Sequence, residues 1–156
     1  MKLKLLFTGK TEDGYLKEGI DIYTKRLRHY IPYEIKIAGE RKKKSLQQSA
    51  KISAEYEKLM SAFDKTAYIV LLDEKGEKLT SEGFAGLIEK NMNHGYRELV
   101  FITGGPYGFP ENIRNKADRI VSLSDMTFSH QMVRLILVEQ IYRAMTIIKG
   151  EPYHHQ

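Results

Sequence analysis

Three short segments of the chain combine the small, polar and apolar residues that are typical of ligand-binding loops. They are Leu72–Gly76, Thr103–Phe109 and Leu123–Phe128, and each comes at the end of an apolar run that predicts a buried strand. In open parallel sheets, ligands bind at the edge where the carboxyl ends of such strands meet. The three segments therefore predict one ligand site built from three loops.

The middle segment contains adjacent glycines, and glycine lets a backbone approach a ligand more closely than a side chain would allow. The segment has no Gly-Lys-Ser/Thr sequence and its glycines do not follow the spacing G-x-G-x-x-G, so it predicts neither a P-loop nor a Rossmann phosphate site. A tight connection between a strand and a helix, without any ligand, would have the same composition. Both interpretations stay open on composition alone.

The five histidines do not show the spacing of a hydrolytic or metal site. His29 and His94 lie at predicted helix ends, where the helix dipole favours them. His130, His154 and His155 lie near the C-terminus without an H-E-x-x-H pattern, and no serine occupies a G-x-S-x-G elbow. Cysteine is absent, which excludes disulfides and cysteine zinc sites and is typical of a cytoplasmic protein. We therefore expect no metal and a cytoplasmic location.

Strands and helices alternate along the whole chain. Hydrophobic periodicity and capping residues predict strands at residues 2–7, 33–38, 68–72, 99–103 and 119–123, and helices at 15–30, 45–63, 81–93, from 110 onward and at 129–149. Such alternation is typical of an α/β fold with a mainly parallel sheet flanked by helices. A length of 156 residues predicts a single domain over residues 1–156.

Positive charge is concentrated in the first part of the chain. Residues 1–66 hold fifteen Lys/Arg and nine Asp/Glu, whereas residues 67–156 hold ten and eleven, and the densest basic run is Arg41–Lys44. This predicts a face for a polyanion such as a nucleic acid, although a solvated loop would have the same composition. No apolar run approaches the roughly 18 residues that span a bilayer, and the N-terminus lacks a signal-peptide cleavage site, so we expect no membrane association.

The last predicted helix is apolar around most of its circumference, which is covered by Met132, Val133, Leu135, Ile136, Leu137, Val138, Ile141, Tyr142, Ala144, Met145, Ile147 and Ile148. A helix of this kind must be buried on more than one side. The sheet can cover one side and a second copy of the chain the other, which predicts a two-fold symmetric homodimer. A helix enclosed by other elements of its own domain is the alternative.

Several motifs occur together in one order along the chain. They are Lys2-Leu3-Lys4-Leu5, Leu72-Asp73 with Gly76, Gly104-Gly105-Pro106-Tyr107-Gly108, Leu123–Phe128 with His130, Val133-Arg134, Glu139–Ala144 and the terminal Pro152-Tyr153-His154. With these motifs the chain resembles, over essentially its full length, the small SPOUT-class methyltransferases of the RlmH type. The resemblance implies methylation of N3 of a pseudouridine in 23S ribosomal RNA. It also implies a C-terminal trefoil knot and a homodimer packed through the knotted region.

The resemblance further implies that S-adenosylmethionine binds between the three loops. The residues expected to bind it are Leu72, Gly105, Leu123, Ser124, Asp125, Met126, Thr127 and Phe128. This cofactor carries no phosphate, in agreement with the missing phosphate motifs. Backbone groups of glycine-containing loops can hold its adenine, and apolar side chains can cover the ring.

The same resemblance implies which residues act on the RNA base. His154, Tyr153 and His130 are the candidates to position the base or accept its N3 proton. His154 and Tyr153 are preferred because a terminal tail can close over a base, and in the family this tail is thought to complete the neighbouring subunit's site. Arg134 is a candidate to hold a phosphate or stabilise the developing anion, with a buried ion pair to Glu139 as the alternative.

The chain departs from the family at its end. Family members commonly carry Arg or Lys after the terminal Tyr-His pair, whereas this chain has His155-Gln156, so a phosphate contact there is weaker or comes from Arg41–Lys44. The expected target is folded 23S rRNA within the assembled ribosome, recognised by shape. Two other interpretations stay open, a non-enzymatic RNA-binding or ribosome-associated factor and a flavodoxin-like nucleotide-binding protein.

Overall fold

The structure is a computed structural model that describes residues 1–38, 46–105 and 107–154. The basic run Arg41–Lys44 and His155 lie outside these ranges. Five parallel strands form one sheet in the order β2-β1-β4-β3-β5. The strands are β1 (Lys2–Thr8), β2 (Tyr33–Ala38), β3 (Tyr68–Lys78), β4 (Glu98–Thr103) and β5 (Arg119–Ser122). The predicted α/β fold with a parallel sheet is therefore confirmed.

In the described residues, five helices cover the two faces of the sheet. They are α1 (Gly14–Leu27), α2 (Leu46–Ser61), α3 (Ser81–Asn93), α4 (Glu111–Arg114) and α5 (Met132–Ile148). Side chains alternate between the two faces along each strand. On β1, Leu3 and Leu5 join the core formed with α1, α3 and α5, whereas Leu6 joins the core formed with α2 and α4.

The boundaries of α3 agree with the residues that predict them. The hydroxyl of Thr80 accepts a hydrogen bond from the Gly83 N–H at 3.1 Å, which is the predicted N-cap. The helix ends at Asn93 with His94 as its C-cap, and Gly95 follows with φ 76°, a conformation that glycine adopts without steric cost. At α4 the prediction differs by one position, because Pro110 has extended ψ 149° and precedes the helix.

The third strand does not end at Leu72, as the sequence predicts, but continues to Lys78. Leu72 and Glu77 both pair with Val121 of β5, so residues 73–76 form a bulge within β3 between two paired positions. Gly76 makes this possible because it lies directly against the β5 backbone, where a Cβ would be 2.6 Å from the Val121 carbonyl carbon. The strand therefore resumes pairing after a segment whose composition is that of a turn.

Helix α5 packs against α1 and α3 on one face of the sheet. Leu137, Val138 and Ile141 on that side are fully buried. The opposite side carries half-buried residues, which we name the α5 stripe: Met132, Ile136, Glu139, Gln140, Arg143 and Ile147. Within the described part of the chain, no helix combines the length and apolarity needed to cross a membrane.

Candidate functional site

Residues 72–75 of β3 and the carboxyl ends of β4 and β5 surround a cavity of about 560 Å³. This volume lies in the range of small-molecule sites, which is about 300–1,000 Å³. Its walls come from the loop after Leu72, the loop after Thr103 and the segment from Ser122 to Phe128. The parallel order of β4, β3 and β5 brings these ends to one edge, so the three loops predicted to converge do converge.

Seven of the eight predicted cofactor residues line this cavity. They are Leu72, Gly105, Leu123, Ser124, Met126, Thr127 and Phe128. The eighth, Asp125, is not among the lining residues, since its carboxylate forms an ion pair with Lys78 and its side chain is 73% exposed. The position of the seven agrees with a binding role, and the role itself stays a prediction.

The glycines of the middle loop present backbone rather than side chains to the cavity. A Cβ on Gly105 would lie 3.4 Å from the Thr8 methyl group, and one on Gly104 would lie 3.2 Å from the Phe109 ring. Gly108 has φ 67°, and its N–H donates to the Gly105 carbonyl at 3.0 Å. Close packing and a left-handed residue together account for glycine in this loop.

An ion pair that the sequence did not predict lies in the wall of the cavity. The Arg114 Nη1 donates to the Asp73 carboxylate at 2.5 Å, and the other carboxylate oxygen accepts from the Lys75 N–H at 2.9 Å. With Glu74 and Lys75, the described lining carries two acidic and two basic side chains besides His130. A lining that is balanced in this way favours a ligand without a polyphosphate chain. No local motif could have indicated Arg114, because it lies 41 residues from its partner.

Among the predicted catalytic residues, His130 lines the cavity. It is half-buried, and its Nε2 lies 3.4 Å from the Gln131 side-chain nitrogen. Gln131 is nearly buried and its amide donates to the Lys10 carbonyl at 3.0 Å. The start of α5 is thus tied to the loop after β1, which positions His130 at the cavity.

Arg134 is fully buried and is absent from the cavity lining. Its guanidinium donates to the Thr8 carbonyl at 2.6 Å and to the Thr11 hydroxyl at 3.0 Å, at the carboxyl end of β1. The alternative pairing of Arg134 with Glu139 is wrong, because Glu139 binds Arg143 at 2.7 Å. Residues five apart lie on different sides of a helix, whereas residues four apart are neighbours.

The C-terminal tail packs against α1 and α5 of the same chain. The Tyr153 hydroxyl lies 3.2 Å from the Glu139 carboxylate and 3.4 Å from the Tyr23 hydroxyl, and its ring packs edge-on against Tyr142 at 4.8 Å. Burial, the Tyr23 hydroxyl and the Glu139 charge raise the pKa of Tyr153 above its usual range. Tyr153 therefore keeps its proton at neutral pH, which suits it to positioning a base and not to accepting a proton.

His154 is absent from the lining of the cavity and contacts α3 and α5. Its Nε2 lies 2.6 Å from the Glu82 carboxylate, and its Nδ1 lies 3.4 Å from the Arg143 guanidinium. The sequence did not predict Glu82 or Arg143 as neighbours of the tail. In residues 1–38, 46–105 and 107–154, no group of three His, Asp or Glu is placed to hold a metal ion.

Comparisons with known proteins find similarity over nearly the whole chain. The family model described as "Predicted SPOUT methyltransferase" matches residues 1–154. The chain is 48% identical to ribosomal RNA large subunit methyltransferase H of Christiangramia forsetii, with 100% of both chains covered. It is 50% identical to the protein of the same name from Geobacter metallireducens, with 99% of both chains covered.

Proposed function

Because the chain belongs to the SPOUT methyltransferase family, we propose that it methylates RNA of the large ribosomal subunit, at N3 of a pseudouridine. The observation that carries the proposal is the cavity formed by the three loops, in a chain that matches large-subunit rRNA methyltransferases over its full length. The substrate is 23S rRNA in the assembled ribosome, and the enzyme is cytoplasmic. A trefoil knot around the three loops is expected with this family.

S-adenosylmethionine is the methyl donor of this family, and its sulfonium supplies an activated methyl group. The residues around the cavity fit this cofactor. Leu72, Leu123 and Phe128 offer apolar surface for a ring, and the backbone at Gly104 and Gly105 offers hydrogen-bonding groups without side chains. The balanced charges of the lining agree with a cofactor that bears amino, carboxyl and sulfonium groups and no phosphate.

Methylation of N3 also requires a group that removes the N3 proton. His130 is the nearest candidate in the same protomer, because it lines the cavity. His154 is the candidate supplied by the tail, and Tyr153 beside it holds the base by a hydrogen bond. Arg134 acts indirectly, by holding the end of β1 in place beside the cofactor loop. Its guanidinium donates to the Thr8 carbonyl, and Thr8 packs beside Gly105.

The α5 stripe supports a two-fold homodimer in which each tail completes the partner's site. Met132 and Arg143 lie eleven residues apart on the stripe, or about 16 Å along the helix. In a two-fold antiparallel pair, the Arg143 end of one helix lies beside the opposite end of the partner's helix. That opposite end borders the cavity through His130 and Val133. Half-buried Met132 and Ile136 supply apolar contact area for the pair.

Exposed cations near the tail support binding of an RNA backbone. Lys25, Arg26 and Arg28 are exposed at the end of α1. The Arg26 guanidinium lies 5.5 Å from the Tyr23 ring centroid and 5.7 Å from that of Tyr142, against which Tyr153 packs. Phosphate contacts there would hold the RNA beside the tail without reading its sequence.

The first test is calorimetric titration with S-adenosylmethionine and with its demethylated product, followed by methylation of ribosomes that lack the modification. We expect saturable binding, and incorporation of labelled methyl at a single pseudouridine of 23S rRNA. Gly105→Val should weaken cofactor binding, because its side chain would crowd the buried Thr8 methyl group and displace a loop that lines the cavity. Gly86→Val is the matched control, since a Cβ at Gly86 meets nothing within 4 Å.

Two results would contradict the proposal. A folded protein that binds no S-adenosylmethionine, alone or with ribosomes present, is not this enzyme. A protein that binds the cofactor and the ribosome but transfers no methyl group would be a non-enzymatic ribosome-associated factor.

A further inference from the structure

We propose that Glu82 is a positioning residue for His154, and that it fixes Nδ1 of the His154 ring as the nitrogen that accepts the N3 proton of the RNA base. This role rests on the proposed function, because it concerns the same reaction. Glu82 lies in the first turn of α3, 72 residues before His154, and no motif of the sequence connects the two.

Two neighbours assign the same tautomer to His154. The Glu82 carboxylate, which can only accept, lies 2.6 Å from Nε2, so Nε2 carries the hydrogen and donates it. The Arg143 guanidinium, which can only donate, lies 3.4 Å from Nδ1, so Nδ1 presents its lone pair. A histidine whose one nitrogen donates to a carboxylate has its other nitrogen available as a base.

The His154 ring is held in a defined position between α3 and α5. The His154 side chain is only 18% exposed. Arg143 is held in turn by Glu139, with contacts of 2.7 and 3.2 Å, so the neighbour on the Nδ1 side is also positioned. The long 3.4 Å contact from Arg143 is a weak hydrogen bond that an incoming base can replace.

The position of Glu82 keeps its side chain ionised. Its own backbone N–H, the His154 ring and the Thr80 hydroxyl lower the pKa of this carboxyl below its usual range. The N-terminal end of a helix also favours a negative charge. A carboxylate is therefore present next to His154 at neutral pH, and it stabilises the imidazolium that forms when Nδ1 takes up a proton.

The proton and electron balance of the step follows from this arrangement. The proton on N3 of the base moves to Nδ1 of His154, and the electron pair of the N–H bond stays on N3. That pair forms the bond to the methyl carbon while the carbon–sulfur bond breaks and the sulfur keeps its electrons. His154 returns to its neutral form by releasing the proton to water.

The experiment compares Glu82→Ala and Glu82→Gln with Glu89→Ala, a control at an exposed residue of the same helix. We expect Glu82→Ala to lower kcat by about tenfold or more, as loss of a group that orients a catalytic histidine does. Cofactor Kd and ribosome KM should stay within about twofold of wild type. Glu82→Gln should recover part of kcat, because its amide oxygen still accepts from Nε2.

A second measurement does not depend on turnover. Nitrogen-15 NMR of the histidine rings, with His154→Asn to assign the signals, should show the Nε2–H tautomer for His154 in wild type and its loss in Glu82→Ala. A His154 ring with its hydrogen on Nδ1 in wild type would overturn the assignment. So would an active wild type with Glu82→Ala as fast as Glu89→Ala. A wild type that binds cofactor and methylates nothing would refute the proposed function and this role with it.

Discussion

Replacing Gly76 by alanine tests how closely residues 73–76, the bulge of β3, pack on the β5 backbone. The added Cβ would lie 2.6 Å from the Val121 carbonyl carbon and 2.8 Å from the Ile120 carbonyl carbon. Carbon atoms in contact prefer about 3.5–4.0 Å, so the overlap is about 1 Å. It falls on backbone atoms of a paired strand, which cannot rotate away, so residues 73–76 have to move. Overpacking costs about 1–3 kcal/mol, and we expect the upper end, about 3 kcal/mol.

Thermal unfolding followed by circular dichroism is the assay. A loss of about 3 kcal/mol should lower Tm by about 6–12 °C, at about 2–4 °C per kcal/mol for a domain of this size. Gly76→Ala should also weaken S-adenosylmethionine binding, because residues 73–75 line the cavity.

Gly86→Ala is the matched control at an exposed position of α3, where an added Cβ meets nothing within 4 Å. Alanine should raise stability there by about 0.5–1 kcal/mol and leave cofactor binding unchanged. A Gly76→Ala protein with the Tm and cofactor Kd of wild type would refute the close packing of this loop on β5.

Three further predictions concern acid stability, assembly and RNA binding. Burial alone would raise the pKa of Glu98, but the hydrogen bond from Lys4 at 2.5 Å, the Asp64 N–H and the Lys4 charge outweigh it, and the pKa is lowered. Its contribution to the free energy of unfolding is therefore present above the ordinary value of about 4.3 and is lost as pH falls through the lower folded-state pKa. Urea titrations from neutral to acidic pH should show a flatter pH dependence in Glu98→Gln, and an unchanged slope would contradict this. Ile136→Glu should sediment as a folded monomer; a dimer as stable as wild type would rule out the α5 stripe as the interface. Ribosome binding should weaken steeply as salt rises, because each phosphate contact releases counterions, and a slope near zero would exclude a phosphate-binding surface.

Local sequence patterns predicted the boundaries of a strand or helix where residues within that element, or next to it, set those boundaries. Strand β2 has the bounds that alternation predicts, Tyr33–Ala38, because Tyr33 and Ile35 pack against the core formed with α1, α3 and α5. The N-cap at Thr80 and the stop at Gly95 were also predicted, since a capping hydroxyl and a left-handed glycine act within one helical turn. The end of β3 was not predicted, because its pairing with Val121 is a long-range contact.

Some features of the candidate site were likewise predictable from the sequence, and others were not. Convergence of the three loops was predictable, because parallel strands place all their carboxyl ends at one edge of the sheet. The ion pair of Asp73 with Arg114 was not, and neither was the contact of Glu82 with His154. Each joins side chains that lie far apart in the chain and come together only when the helices pack.

By itself the sequence determined the class of fold, the loops that could form a site and the kinds of groups in them. These depend on hydrophobic periodicity, on glycine and on motif order, which are properties of neighbouring residues. The pairing of β5 beside β3, the contact of Arg134 with the end of β1, and the packing of the tail against Glu82 and Glu139 follow from the folded chain alone. The physical reason is that such contacts depend on how the helices pack across the sheet, and that packing balances burial, charge and hydrogen bonding over the whole domain.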